Sequence, residues 1–259
     1  MGLERIFMKR QFAGFHRKVT TNQALDSYAD IAPLLSRGMV DDARTLLGEK
    51  YRIGPPTLFT KNRSVVAYWL EKMGDLQYAF FKEERREERE TIRSTYRSLG
   101  DLVKAFVIDQ KVPLLDSTNR SLLHHAAYFQ LTEICEFLLA RKYDPNGEAN
   151  GNETPSYEAL TGFEYLPLYY DEESDPFRVK ELFRTLLDGG ADPDFPPQSA
   201  RSVNERIRTL TKWWNFLMEN EEERKKADIP DLERKIGLLK TCYVDALEAH
   251  RRQRLRGGR

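Results

Sequence analysis

Residues 116–146 read DSTNRSLLHHAAYFQLTEICEFLLARKYDPN, and this stretch decides the fold. Its first half contains the small pair Ala126-Ala127, which lets a helix approach a neighbouring helix closely. Its second half has apolar residues at the spacing of one helix face, namely Ile134, Phe137, Leu138 and Leu139. The stretch therefore predicts two short helices that end in a polar turn. Because one such pair cannot bury its own apolar face, at least ~3 pairs should stack.

This stretch resembles one unit of the ankyrin repeat, whose period is about 33 residues. Residues 121–126 (SLLHHA) match the family's Thr-Pro-Leu-His-x-Ala box. Ser121 keeps the hydroxyl that caps the first helix, and Leu122 replaces the usual proline. Residues 154–159 (TPSYEA) repeat the box, and residues 189–194 (GGADPD) resemble the Gly-Ala-Asp-x-Asn turn that closes a unit. The resemblance implies an all-α fold, an ankyrin-type helical-hairpin solenoid with long C-terminal capping helices.

Glycine and proline divide the rest of the chain into further helical segments. Breaks are predicted at Gly74 and Gly100, with a long helix from Leu76 to Leu99 between them. We expect five regions: a basic N-terminal arm at 1–21, diverged ankyrin-like helical pairs at 22–100, ankyrin repeats at 101–194 with an insertion at about 161–176, a helical C-terminal cap at 195–250, and a basic flexible tail at 251–259. The arm has an alternative interpretation as an amphipathic targeting helix, because phenylalanines interleave with its basic residues.

Composition and charge narrow the class of function. Lys+Arg and Asp+Glu both total 41, so the formal net charge is zero and no global field draws the chain to nucleic acid. The two cysteines, Cys135 and Cys242, stand far apart and predict no disulfide framework. No apolar run approaches the ~20 residues that span a bilayer. We therefore expect a cytoplasmic or nuclear protein without a membrane span and without specific nucleic-acid binding.

No pattern in the sequence organises a catalytic or metal site. His124-His125 is the only histidine pair, and its place in the repeat box favours a structural role, in which the histidine ties the hairpin to the helix. Cys135 lies on the core side of its predicted helix, where a small buried side chain is expected. The sequence contains no phosphate-binding glycine loop and no nucleophile elbow. It therefore predicts no enzymatic activity, no cofactor and no metal.

The ankyrin resemblance places the partner-binding residues on the hairpin tips and on the inner face of the first helices. Carried over position by position, these residues are Ser117, Thr118, Arg120, Tyr128 and Phe129 in the clear repeat, and Asn150 and Glu153 in the next. Adjacent aromatic residues often anchor interfaces. A neighbouring helix that covers Tyr128 and Phe129 would account for the pair equally well.

The insertion adds a second candidate surface, an aromatic segment followed by an acidic one. Its tyrosines are Tyr165, Tyr169 and Tyr170, and the acidic residues follow within 171–175. Such a loop could bind a basic, partly apolar peptide, or its aromatic side chains could instead fill the gap that the insertion leaves in the stack. Separately, the spacing around Asn146 fits the asparagine-hydroxylation site of some ankyrin repeats, which makes Asn146 a candidate acceptor.

Two functions remain open on the sequence alone. The first is a protein-protein interaction module, or scaffold, that binds another protein or peptide through the hairpin tips, the inner helices and the insertion. The alternative is a regulatory or host-manipulating effector whose activity lies in the N-terminal 100 residues, with the repeats as a targeting adaptor. The sequence also leaves the oligomeric state open.

Overall fold

The computed structural model describes residues 21–51, 58–60, 63–109, 115–116, 118–165, 178, 181–195, 202–222, 237 and 240–257. These residues are predominantly helical. In chain order the helices are α1 (Thr21–Leu35), α2 (Val40–Tyr51), α3 (Val65–Lys82), α4 (Arg86–Asp109), α5 (Leu122–Tyr128), α6 (Thr132–Ala140), α7 (Pro155–Tyr165), α8 (Leu182–Asp188), α9 (Val203–Glu219) and α10 (Asp245–Gly257). A π-helical segment, Lys240–Val244, leads into α10. One short antiparallel hairpin, β1 (Leu58–Thr60) with β2 (Arg63–Ser64), precedes α3. Apart from this hairpin, the helical prediction is confirmed for the described residues.

The helices follow one another as pairs: α1 with α2, α3 with α4, α5 with α6, and α7 with α8. From α3 onward, neighbouring pairs contact through matching members, since α5 contacts α3 and α7 while α6 contacts α4 and α8. In the first pair, α1 and α2 both contact α4. One cluster of buried apolar side chains runs through all four pairs, from Ile31 in α1 to Ala246 in α10. Each pair therefore buries its apolar face against the next pair, as short amphipathic helices must.

Four of the described helices end in the same hydrogen-bonded turn, the Schellman motif. At the ends of α1, α5, α6 and α8, a left-handed residue is followed by an amide that donates to the carbonyl five residues earlier. The left-handed residues are Gly38 (φ +76°), Gln130 (φ +60°), Lys142 (φ +66°) and Gly190 (φ +100°). Glycine adopts this conformation without steric cost, whereas a residue with a Cβ atom, such as lysine, adopts it at a steric cost. The turn that the sequence predicts at 189–190 therefore forms as a glycine C-cap.

Two of the predicted helix breaks are wrong. Helix α3 continues through Gly74 and α4 continues through Gly100, and the break between them lies at 83–85. Both glycines are positions of close approach: a Cβ on Gly74 would lie 2.8 Å from Phe129 Cδ1, and one on Gly100 would lie 3.3 Å from Met73 Cε. These glycines therefore serve packing between helices rather than chain reversal.

The described residues of the predicted C-terminal cap are helical, and its basic end differs from the prediction. Residues 251–257 continue α10 instead of forming a flexible tail, and Arg252 Nη2 lies 2.8 Å from Glu248 Oε2 one turn earlier. Helix α10 contacts α8, and the Tyr243 ring packs edge-on against Phe183 with centroids 5.2 Å apart. The cap thus covers the apolar side of the last pair. Among the described residues, no helix has both the length and the apolar character needed to cross a membrane.

Candidate functional site

Two hairpins with the same geometry precede α5 and α7, and we call them the first hairpin (116–120) and the second hairpin (149–153). In each, the amide of the first residue donates to the carbonyl of the fifth, at 3.0 Å in the first hairpin and 2.9 Å in the second. The fourth residue is a left-handed asparagine in both, Asn119 (φ +62°) and Asn152 (φ +63°). Asparagine tolerates this conformation better than most residues. The same turn therefore recurs after 33 residues.

The two hairpins are bonded to each other side by side. The Asn150 amide donates to the Thr118 carbonyl at 2.8 Å, and Asn119 Nδ2 donates to the Glu148 carbonyl at 3.0 Å. Asn119, Glu148 and Asn150 are exposed, while Thr118 is half-buried. We call the joined surface of the two hairpins the hairpin ridge. Of the residues predicted to bind a partner, the structure brings Thr118, Arg120, Asn150 and Glu153 together on this ridge.

His124 connects its own helix to the second hairpin. Its Nδ1 accepts the Ser121 amide at 3.1 Å, and its Nε2 donates to the Glu153 carbonyl at 3.1 Å. Burial lowers the pKa of His124 from 6.5 to about 4, so the ring is neutral near pH 7. The predicted structural role of this histidine is confirmed by these bonds.

Asp116 organises the first hairpin from within. Its Oδ1 accepts hydrogen bonds from the amides of Thr118 and Arg120, at 2.8 and 2.9 Å, and from Thr118 Oγ1. Its Oδ2 lies 3.0 Å from His125 Nε2. Burial alone would raise the pKa of Asp116, but the hydrogen bonds from His125, Thr118 and Arg120 outweigh it and lower the pKa well below 3.8. The carboxylate is therefore charged and fixed in position. Because Thr118 donates two hydrogen bonds to it, Thr118 stabilises the turn as well as lying on the surface.

Arg120 meets a buried carboxyl group that the sequence analysis missed. Its Nη2 lies 2.7 Å from Glu158 Oε1, although the angle is not that of a good hydrogen bond. Glu158 is 3% exposed, and burial raises its pKa from 4.5 to about 7. Glu158 stands 33 residues after His125, at the variable position of the second box. This equivalence to the buried His125 was the signal in the sequence that could have predicted a buried Glu158. Arg120 therefore holds a carboxyl of its own chain, with its side chain 36% exposed.

The aromatic pair predicted to bind a partner divides into one core residue and one surface residue. Phe129 is 8% exposed and packs against Gly74 of α3, so the prediction that Phe129 lies on the binding surface is wrong. The helix pair before it covers the ring. Tyr128 is half-buried and packs edge-on against Phe129, with ring centroids 5.1 Å apart. Only Tyr128 of this pair retains exposed surface.

Asn146, the candidate hydroxylation acceptor, ties its turn to the next one. Its Nδ2 donates to the Gly190 carbonyl at 3.0 Å, and its Oδ1 accepts the Asp192 amide at 2.7 Å. The side-chain amide is therefore engaged at both of its polar atoms.

The insertion begins as helix rather than as loop. Helix α7 extends to Tyr165, and within it Phe163 is 3% exposed, with its ring centroid 5.5 Å from that of Phe183. The burial of Phe163 agrees with the second interpretation of the insertion, in which its aromatic side chains fill space between the stacked helices. Ser117, Tyr169 and Tyr170 lie outside the described residues, as does the side chain of Tyr165.

No protein-family model matches the chain, and a search of curated proteins finds no similar sequence. Within the described part of the chain, no group of three or more His, Cys, Asp or Glu side chains is placed to hold a metal ion.

Proposed function

We propose that the chain is an ankyrin-type helical solenoid that binds another protein or peptide through the hairpin ridge and the inner helices. The observation that carries this proposal is the recurrence of one turn after 33 residues, the ankyrin period. Box residues support it: Ser121 and Thr154 occupy equivalent positions at the start of α5 and α7. From α3 to α8, the contacts between successive helix pairs have the order that stacked repeats require.

The hairpin ridge suits recognition because its own backbone bonds hold it in place. The Thr118 carbonyl and the Asn150 amide are paired with each other, and Asp116 fixes the first turn. A partner therefore does not have to order these loops when it binds, which removes part of the entropy cost of association. Side chains such as Asn119 and Glu148 are exposed beside this fixed backbone. Tyr128, at the far end of α5, adds a partly exposed aromatic ring on the inner helix, so the proposed surface combines polar and aromatic side chains.

The sharpest test compares variants on the ridge with a variant on another surface. Wild-type chain and three single variants, Asn150→Arg, Tyr128→Ala and Ala140→Arg, are used as baits in cell lysate, and bound proteins are quantified by mass spectrometry. Asn150 and Ala140 are both exposed, so arginine fits at either position without core disruption. We expect Asn150→Arg and Tyr128→Ala to lose a shared set of proteins by at least ~10-fold, since central contacts contribute most of the binding energy. Ala140→Arg should retain that set, and equal capture by all four baits would contradict the proposal.

The alternative, an effector activity within the N-terminal 100 residues, has less support from the packing. Helix α3 contacts α5, Trp69 of α3 is fully buried, and its ring packs edge-on against Phe106 of α4. The N-terminal pairs therefore belong to the same packed body as the repeats. We also propose a reducing compartment, cytoplasm or nucleus, because Cys135 and Cys242 are buried and form no disulfide within the described residues.

A further inference from the structure

The outer face of α9 carries two large exposed aromatic rings. Trp213 is 47% exposed and Phe216 is 45% exposed, and the rings stack with centroids 5.6 Å apart and planes 20° apart. Val203 and Leu217 of the same helix are buried, and Val203 belongs to the core cluster, so α9 is amphipathic. Aromatic rings concentrated on one outward face mark an interaction surface rather than scattered apolar exposure.

Two exposed residues of opposite charge, Lys212 and Glu219, flank Phe216 along this face. Lys212, Phe216 and Glu219 are spaced i, i+4 and i+7, so they form one stripe along the helix. The stripe therefore reads positive, aromatic, negative along the chain. Lys212 and Glu219 are both exposed, and neither has an ion-pair partner among the residues that the structure describes.

We propose that this face of α9 is a self-association surface, on which α9 of a second copy packs antiparallel about a two-fold axis. The point midway between Lys212 and Glu219 is where that axis passes. An antiparallel pairing about this point places Lys212 of each copy opposite Glu219 of the other. The two Phe216 rings then meet beside the axis, each with a Trp213 ring stacked against it. An isologous interface needs a surface that complements itself, and this charge order supplies one.

The expected complex is weak. One helix face against its copy buries less area than the 1,200–2,000 Å² typical of stable complexes, so association should appear only at high protein concentration. The full chain has a mass of 30.3 kDa, and sedimentation equilibrium should show the weight-average mass rising with concentration toward twice that value. This surface lies on the cap, so it is independent of the partner binding proposed for the hairpin ridge.

Charge exchange between the two flanking residues tests the pairing. Lys212→Glu places acids opposite acids in its own homodimer, and Glu219→Lys places bases opposite bases. Each variant alone should raise the dissociation constant roughly tenfold or more, since both symmetric pairs become repulsive. An equal mixture of the two variants should restore association, because each copy then offers the charge that the other lacks. Phe216→Ser should abolish self-association, because it removes the ring that lies beside the two-fold axis.

A matched control separates this effect from a general change of charge. Arg97→Glu reverses an exposed charge on α4 and should associate like the wild type. Circular dichroism melts of all variants confirm folding, because these side chains lie on the surface. A chain that stays monomeric at the highest concentration would overturn the proposal. So would association that is insensitive to Lys212→Glu and Glu219→Lys, or a mixture that associates no better than either variant alone.

Discussion

At the scale of single residues, Lys142 occupies a position that suits glycine. Gly38 and Gly190 stand at the equivalent place in two other Schellman turns, whereas Lys142 adopts φ +66° with a side chain. Non-glycine residues pay ~1–2 kcal/mol for the left-handed conformation. Lys142→Gly should therefore increase the free energy of unfolding by about 1 kcal/mol, measured by urea denaturation. Lys142→Ala is the control and should give no gain, because alanine keeps the Cβ; equal stability of the glycine and alanine variants would contradict this explanation.

The ionisable residues His124 and Glu158 have opposite effects on stability below pH 7. The folded state depresses the pKa of His124 from 6.5 to about 4, so unfolded chains bind the extra proton and stability rises with pH across that range. It raises the pKa of Glu158 from 4.5 to about 7, so folded chains bind the extra proton and stability falls as pH rises. In the wild type the two contributions offset each other between about pH 4.5 and 6.5.

Glu158→Gln should reveal the contribution of Glu158. The unfolding free energy of the wild type, minus that of the variant, should fall by about 3 kcal/mol from pH 4.5 to pH 7, since each pKa unit is worth 1.36 kcal/mol. The measurement is a series of urea denaturations across this range. Glu153→Gln, a change of the same type on the second hairpin, serves as the control. Parallel curves for wild type and Glu158→Gln would mean that the Glu158 carboxyl titrates like an exposed one.

At the scale of helices, contact between α5 and α7 depends on a missing side chain. A Cβ on Gly162 would lie 2.0 Å from the Tyr128 carbonyl oxygen and 2.6 Å from Gln130 Nε2. The Gln130 side chain already donates to the Ala159 carbonyl at 2.7 Å, so there is no room for α7 to shift without losing that bond. Gly162→Ala should lower the free energy of unfolding by about 1–3 kcal/mol through overpacking.

Gly48 is the matched control for this substitution. It also lies within a helix, α2, but a Cβ there would have nothing within 4 Å. Gly48→Ala should therefore leave stability unchanged or increase it by about 0.5–1 kcal/mol, the intrinsic preference of helices for alanine. The free energies of unfolding of both variants are measured by urea denaturation. A Gly162→Ala protein as stable as the wild type would contradict the close approach of α5 and α7 at Gly162.

Helices were predictable where the signal was local, and were missed where it was not. The periodicity of residues 116–146 predicted α5, α6 and the turn after them, because the spacing of apolar residues and the residue types that favour a turn depend only on a few neighbouring positions. Gly74 and Gly100 were misread because their role depends on Phe129 and Met73, which the fold brings beside them. In the candidate site, the hairpin positions followed from the resemblance to a repeat, whereas the pair Arg120 and Glu158 depends on how α5 and α7 face each other.

At the scale of the whole molecule, the helix pairs form one packed body with one buried cluster. No pair is large enough to fold alone, so stability comes from the surfaces between pairs. The same stacking brings the two hairpins together and thereby builds the proposed binding surface. The units that contain α5 and α7 are therefore joined at their hairpins as well as through their helices.

Hydrogen exchange at the Asn150 amide tests this claim most directly. Asn150 is exposed, but its amide donates to the Thr118 carbonyl of the preceding hairpin at 2.8 Å. Amides in exposed loops normally exchange quickly, whereas this one should exchange at least ~100-fold more slowly than in an unstructured peptide, because exchange requires the two hairpins to separate. Exchange at the unstructured rate would contradict the side-by-side hairpins, and with them the ridge proposed to bind a partner.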